Sequence, residues 1–175
     1  MAARSNGLNK QPRPRRTDSE LVRASGHLYY EIEMLFLSTV ELARNEPIRL
    51  TVGNALIESF TLHARALLDF LYESESPKRD DMIASDFFDD PSQWFATRPP
   101  MTPLLDTVRK RVGKETAHLT YHRQQLSPEQ KEWRFMAIAQ DIKGVIEVFV
   151  SQVPPGRIVG EIESILRPNP FGGDL

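Results

Sequence analysis

The chain has 175 residues, enough for one domain of ordinary size, and its shares of charged (26%) and apolar (40%) residues are those of a globular protein with a core. It contains no cysteine, which excludes a disulfide framework, a thiolate metal site and a cysteine nucleophile. A formal charge of −2 gives no overall basic field, and no apolar run approaches the roughly 18 residues of a membrane span. After Met1 the chain runs through Arg4, Lys10, Arg13 and Arg16 with Leu8 as the sole large apolar residue, so no signal-peptide core is visible and a soluble, cytoplasmic protein is expected.

Thirteen prolines punctuate the chain, and helices are expected where they are absent: 15–46, 48–76, 104–127 and 129–153. Thr17-Asp18-Ser19-Glu20 reads as a capping box opening a first helix with an apolar stripe at Leu21, Leu28, Ile32, Leu35 and Val40, ending near Asn45. The second helix, about 50–73, is apolar almost all round (Leu56, Ile57, Phe60, Leu62, Leu67, Leu68, Phe70, Leu71), as the central helix of a bundle is. Residues 74–102 form a long acidic connection, with Phe87, Phe88, Trp94 and Phe95 expected to pin a short helix onto the bundle.

Thr102-Pro103 is an N-cap followed by proline at the first helical position, and predicts a third helix through Leu104, Leu105, Val108, Val112 and Leu119. Ser127-Pro128-Glu129-Gln130 repeats the signal before Phe135, Ile138, Ile142, Ile146 and Phe149. A short last helix is expected at about 157–166. The fold class is therefore all-α: a four- to five-helix bundle over 17–167, with a basic disordered tail at 1–16 and a second disordered tail at 168–175.

Polar positions on core-facing helices are where a bundle can carry chemistry. Helix two has such a row at Asn54, Glu58, Thr61, Arg65, Asp69 and Tyr72, in which Arg65 and Asp69 are i,i+4 neighbours. His63 lies on another row, among Leu56, Phe60, Leu67 and Phe70, where a histidine is usually part of the core. Helix three carries Arg111, Glu115, His118 and His122 beside its apolar stripe. Imidazole suits proton transfer near neutral pH, and the guanidinium fork suits phosphate oxygens. Charge is segregated: residues 106–134 hold seven Lys or Arg against four Asp or Glu, and residues 73–90 hold two against seven.

Arg111-Val-Gly-Lys-Glu-Thr-Ala-His118, on the third helix of an all-α bundle, resembles the R-x4–6-H signature of HEPN (higher eukaryotes and prokaryotes nucleotide-binding) domains. The segments HARALLDFL at 63–71 and AHLTYHR at 117–123 also look like a family of uncharacterised bacterial helical proteins, and the resemblance covers about residues 54–134. It implies an RNA- or nucleotide-binding protein working as a homodimer, without metal or other cofactor, and in some members a metal-independent ribonuclease. It also implies roles: His118 as general acid/base, Arg111 stabilising charge on the phosphoryl group, and Arg65, Lys114, His122 and Arg123 as substrate-binding groups. Active members place a polar residue after the arginine, where this chain has Val112. Two other readings follow from the residues. His118 and His122, completed by His63, could form a metal site like that of DinB-like bundles. The acidic aromatic connection could instead serve a non-catalytic protein-interaction module.

Overall fold

The computed structural model describes residues 13–44, 46–72, 80–115, 121, 127 and 132–167, the side chains of 113–115 excepted. Among these residues there are six α-helices and no strand: α1 (Asp18–Ala43), α2 (Leu50–Tyr72), α3 (Pro91–Thr97), α4 (Pro103–Glu115), α5 (Phe135–Gln152) and α6 (Gly160–Leu166). The all-α expectation holds. The helix count rises by one because part of the acidic connection is itself helical.

Local chemistry explains the ends of several helices. The Thr17 hydroxyl accepts from the Glu20 amide while the Glu20 carboxylate accepts from the Thr17 amide, at 3.3 and 2.8 Å, so the capping box is complete. Thr102 Oγ1 accepts from the Leu105 amide at 3.2 Å and donates to Asp141 Oδ2 at 2.7 Å, capping α4 and tying it to α5 in one step. Asp90 caps α3, with Pro91 at its first position. The start expected at Ser127-Pro128 is not that of α5. Residues 132–134 are non-helical, and α5 begins at Phe135 without a side-chain cap.

The helices pack as an antiparallel hairpin, α1–α2, with α4 and α5 laid against it. Edge-to-face pairs of Phe60 with Phe135 (5.0 Å) and Phe70 with Phe149 (5.2 Å) show that α2 and α5 run parallel. Thr102 meets Asp141 and Arg111 meets Glu132, so α4 runs antiparallel to both. Burial divides α2 sharply. No residue of 50–59 is buried, whereas Phe60, Thr61, His63, Ala64, Leu67, Leu68 and Phe70 through Tyr72 all are.

The acidic connection folds onto the closed end of the bundle. A 3-10 turn at Ala84–Phe87 leads into α3, and Phe149 gathers Phe87, Phe88 and Trp94 around its ring at 5.6, 6.0 and 5.6 Å. Trp94 Nε1 donates to the Leu71 carbonyl at 2.9 Å, satisfying one of the acceptors that the last turn of α2 leaves open. The expectation that these aromatics pin a short helix is met by Phe87, Phe88 and Trp94, while Phe95 remains about half exposed. The bundle is closed by α6, whose Ile162 and Leu166 are buried, with the Val159 amide donating to Ser25 Oγ of α1 at 2.9 Å.

The disorder expected for 1–16 does not extend to its last four residues. Arg13 donates to Asp86 at 2.7 Å and to the Asp81 carbonyl, and Arg15 pairs with Asp89 at 3.2 Å. The acids of the connection supply partners that a composition reading could not anticipate. Residues 1–12 and the tail expected at 168–175 lie outside the described residues. Among the described residues no helix is long and apolar enough to cross a membrane.

Candidate functional site

Helix α4 positions the arginines of interest. Leu105, Val108 and Val112 form its buried stripe, and at 100° per residue Arg109 and Arg111 fall on opposite borders of that stripe. Val112 thus occupies a core position, which accounts for an apolar residue directly after Arg111. The Arg109 border faces α2 and the Arg111 border faces α5.

On the α5 border, the Arg111 guanidinium lies over the Trp133 ring at 4.0 Å and donates to the Glu132 carbonyl at 3.0 Å. A stacked guanidinium with one donor tied to backbone is held in a fixed plane, the arrangement in which arginine recognises planar or forked anions. His118, His122 and Arg123 lie outside the described residues, as does the Lys114 side chain, although Lys114 itself is within α4.

On the α2 border, Arg65 meets α4 rather than solvent. Its Nε donates to Asp69 Oδ2 at 2.5 Å, one helical turn away, and its NH1 donates to the Arg109 carbonyl at 3.2 Å. Arg109 Nε pairs with the other carboxylate oxygen, Asp69 Oδ1, at 3.3 Å. One carboxylate therefore holds two guanidiniums by their Nε edges. Together with Ala66, Phe70, Asp81, Met82 and Ile83 they line a cleft of about 250 Å³. Phe70 and Ile83 are buried, so its floor is apolar. Arg109 and Asp69 were not among the residues singled out as ligand-binding, although the i,i+4 pairing of Arg65 with Asp69 is written in the sequence. The signal that could have added Arg109 is its place on the border of the Leu105–Val108–Val112 stripe, but only the fold shows that this border meets α2.

The structure thus places the two described arginines of the expected site, Arg65 and Arg111, on different borders of α4. The polar row of α2 is likewise not one solvated edge. Asn54 and Glu58 are exposed, Arg65 and Asp69 half-buried, and Thr61 and Tyr72 buried. Burial pushes the Tyr72 phenol above its usual range, opposed by the nearby Arg98 guanidinium, which lies over the Tyr72 ring at 5.1 Å.

His63 belongs to the helix hairpin. It is buried, its Nδ1 is 2.7 Å from Glu31 Oε2, and its ring meets Tyr30 edge-on at 5.6 Å. It faces α1, whereas the side of α2 that meets α4 carries Arg65 and Asp69. No group of three or more metal-ligating side chains occurs among the described residues.

No family model, curated protein or solved structure matches this chain.

Proposed function

We propose that the chain binds RNA or a nucleotide across α4, as a HEPN-like helical bundle, with Arg111 and His118 as the pair that would carry metal-independent cleavage of the phosphodiester. The observation that carries the reading is the fixed Arg111 guanidinium. It stacks on Trp133 and is tied to Glu132 at the head of the R-x6-H row, within residues 106–134, where seven Lys or Arg stand against four Asp or Glu. Arg65 and Arg109 extend the basic surface over the opposite border. In the cleavage step His118 would take the proton of the ribose 2′-hydroxyl as its oxygen attacks phosphorus, and return a proton to the leaving 5′-oxygen. Arg111 would hold the charge that accumulates on the phosphoryl oxygens.

The homodimer is proposed through the apolar end of the α1–α2 hairpin, where Leu37, Leu50 and Val52 are each about half exposed or more.

The test is cleavage and binding of single-stranded RNA in EDTA by the wild type, Arg111→Ala and His118→Ala, with sedimentation of the same preparations. His118→Ala is expected to lose cleavage by at least 100-fold while still binding RNA, since general acid/base groups supply about that factor or more. Arg111→Ala is expected to weaken binding as well. Cleavage unchanged in His118→Ala removes the ribonuclease mechanism, and RNA binding unchanged in Arg111→Ala removes the α4 surface.

A further inference from the structure

The cleft between α2 and α4 holds its arginines in an unusual way. Asp69 engages both through Nε. Among the described residues, the NH2 group of Arg65 and both terminal nitrogens of Arg109 meet no acceptor. Arg65 and Arg109 line a concave site of about 250 Å³ together with the apolar Phe70, Met82 and Ile83. Two guanidiniums and one carboxylate leave this triad with a charge of +1, and the side chains of Arg65 and Arg109 are 37% and 27% exposed, so they are sheltered yet reachable.

We infer that this cleft is a phosphate-monoester site. Arg65 is fixed by hydrogen bonds from Nε and NH1, and Arg109 is drawn to the same carboxylate by charge, so two guanidiniums are gathered at one cleft, as charge-assisted, bidentate recognition of phosphate by arginine requires. The donors on offer suit the three terminal oxygens of a monoester, each of which can take two of them. A monoester also carries about −1.5 to −2 charges at neutral pH, against −1 for a diester. The apolar floor accepts the group that the phosphate is attached to. Asp81, exposed on the opposite lip, lowers the net field of the cleft, so recognition rests on directed donors rather than on long-range attraction.

Such a phosphate has two sources: a free mononucleotide, or the phosphorylated end of an RNA strand. The site names a subsite of the proposed RNA-binding surface, and rests on that reading only for the second source.

The experiment is titration calorimetry of the full chain with adenosine monophosphate, adenosine and inorganic phosphate, then with RNA oligomers bearing a 5′-phosphate or a 5′-hydroxyl. Adenosine monophosphate is expected to bind and to be displaced by inorganic phosphate, with adenosine binding at least tenfold more weakly. Arg109→Gln and Arg65→Gln are each expected to weaken the monophosphate at least tenfold. Arg109→Lys, which keeps the charge but loses the fork and serves as the folded control, should weaken it severalfold. Preference for the 5′-phosphorylated oligomer identifies the RNA end as the source, and binding of the mononucleotide without that preference identifies the free nucleotide; both support the site. Equal binding of adenosine and its monophosphate overturns it. So does full affinity in Arg109→Gln, or the absence of any phosphate-dependent binding in either series. Because His118 takes no part, loss of this site and loss of the ribonuclease reading are separate outcomes.

Discussion

Arg157 and Arg109 show two ways of holding a guanidinium in one small bundle. Arg157, in the turn between α5 and α6, uses its whole fork: Nε donates to Asp18 at 2.8 Å, NH1 to the Phe87 carbonyl at 3.0 Å and NH2 to Asp89 at 2.6 Å. Its side chain is only 12% exposed, and it binds the start of α1 to the acidic connection. Arg109 is paired through one nitrogen and lines a cleft. A structural arginine spends its donors within the fold, whereas one able to take a ligand keeps them, although both are ion-paired. The count of donors used separates the two more clearly than charge or exposure does.

Substitution at the two positions should separate them in the same way. The largest effect is expected for Arg157→Ala, which leaves the Phe87 carbonyl without its donor and removes a side chain packed over the connection. The carboxylates of Asp18 and Asp89 are 67% and 63% exposed, so water replaces much of what they lose. The carbonyl and the packed stem then account for most of an expected cost of about 2 kcal/mol, read as a lower urea midpoint with unchanged slope. A cost near zero would mean that the connection is held without Arg157.

A smaller, pH-dependent effect is expected for Asp89→Asn. The hydrogen bond from Arg157, reinforced by its charge, holds the Asp89 carboxyl below its ordinary value of 3.8. Because the folded value is the lower one, the unfolded chain takes up the proton first on acidification. The stabilisation is therefore present above about pH 4 and is lost as pH falls through the range below it. Glu20, held down by the Thr17 amide, and Asp90, held down by Ser92, act in the same direction and remain in the variant. The stability difference between wild type and Asp89→Asn should therefore shrink between pH 6 and pH 3 in parallel urea titrations. A difference that stays constant would show that the pair contributes nothing by its charge.

The smallest effect is expected for Arg109→Gln in the absence of ligand. A half-buried pair through one nitrogen is worth little, and stability from urea titration should change by less than about 0.5 kcal/mol. A loss as large as that of Arg157→Ala would make Arg109 a structural residue and end the comparison.

The acidic connection shows where sequence reading stops. Its aromatics announce that it packs. The charged partners of Asp86 and Asp89 come from residues far away in the chain, Arg13, Arg15 and Arg157. In α2 the apolar pattern runs the whole length, yet residues are buried only from Phe60 on, the half that meets Phe135 of α5 and, through Arg65, Arg109 of α4. The candidate site divides in the same way. Arg65 beside Asp69, and Arg111 on the row that ends at His122, are legible from helical spacing. The cleft with Arg109 is not, because it lies between two helices.

What the sequence determined by itself is the all-helical class, the caps of α1 and α4 and the apolar stripes of the long helices, since periodicity, capping boxes and proline placement act within a turn or two of the residues concerned. Only the tertiary structure decided that the two borders of α4 face different neighbours, so that Arg109 joins Arg65 around Asp69 while Arg111 stacks on Trp133. Which border meets which helix depends on the order in which whole helices pack, and that order is set by the sum of their buried faces rather than by any one of them.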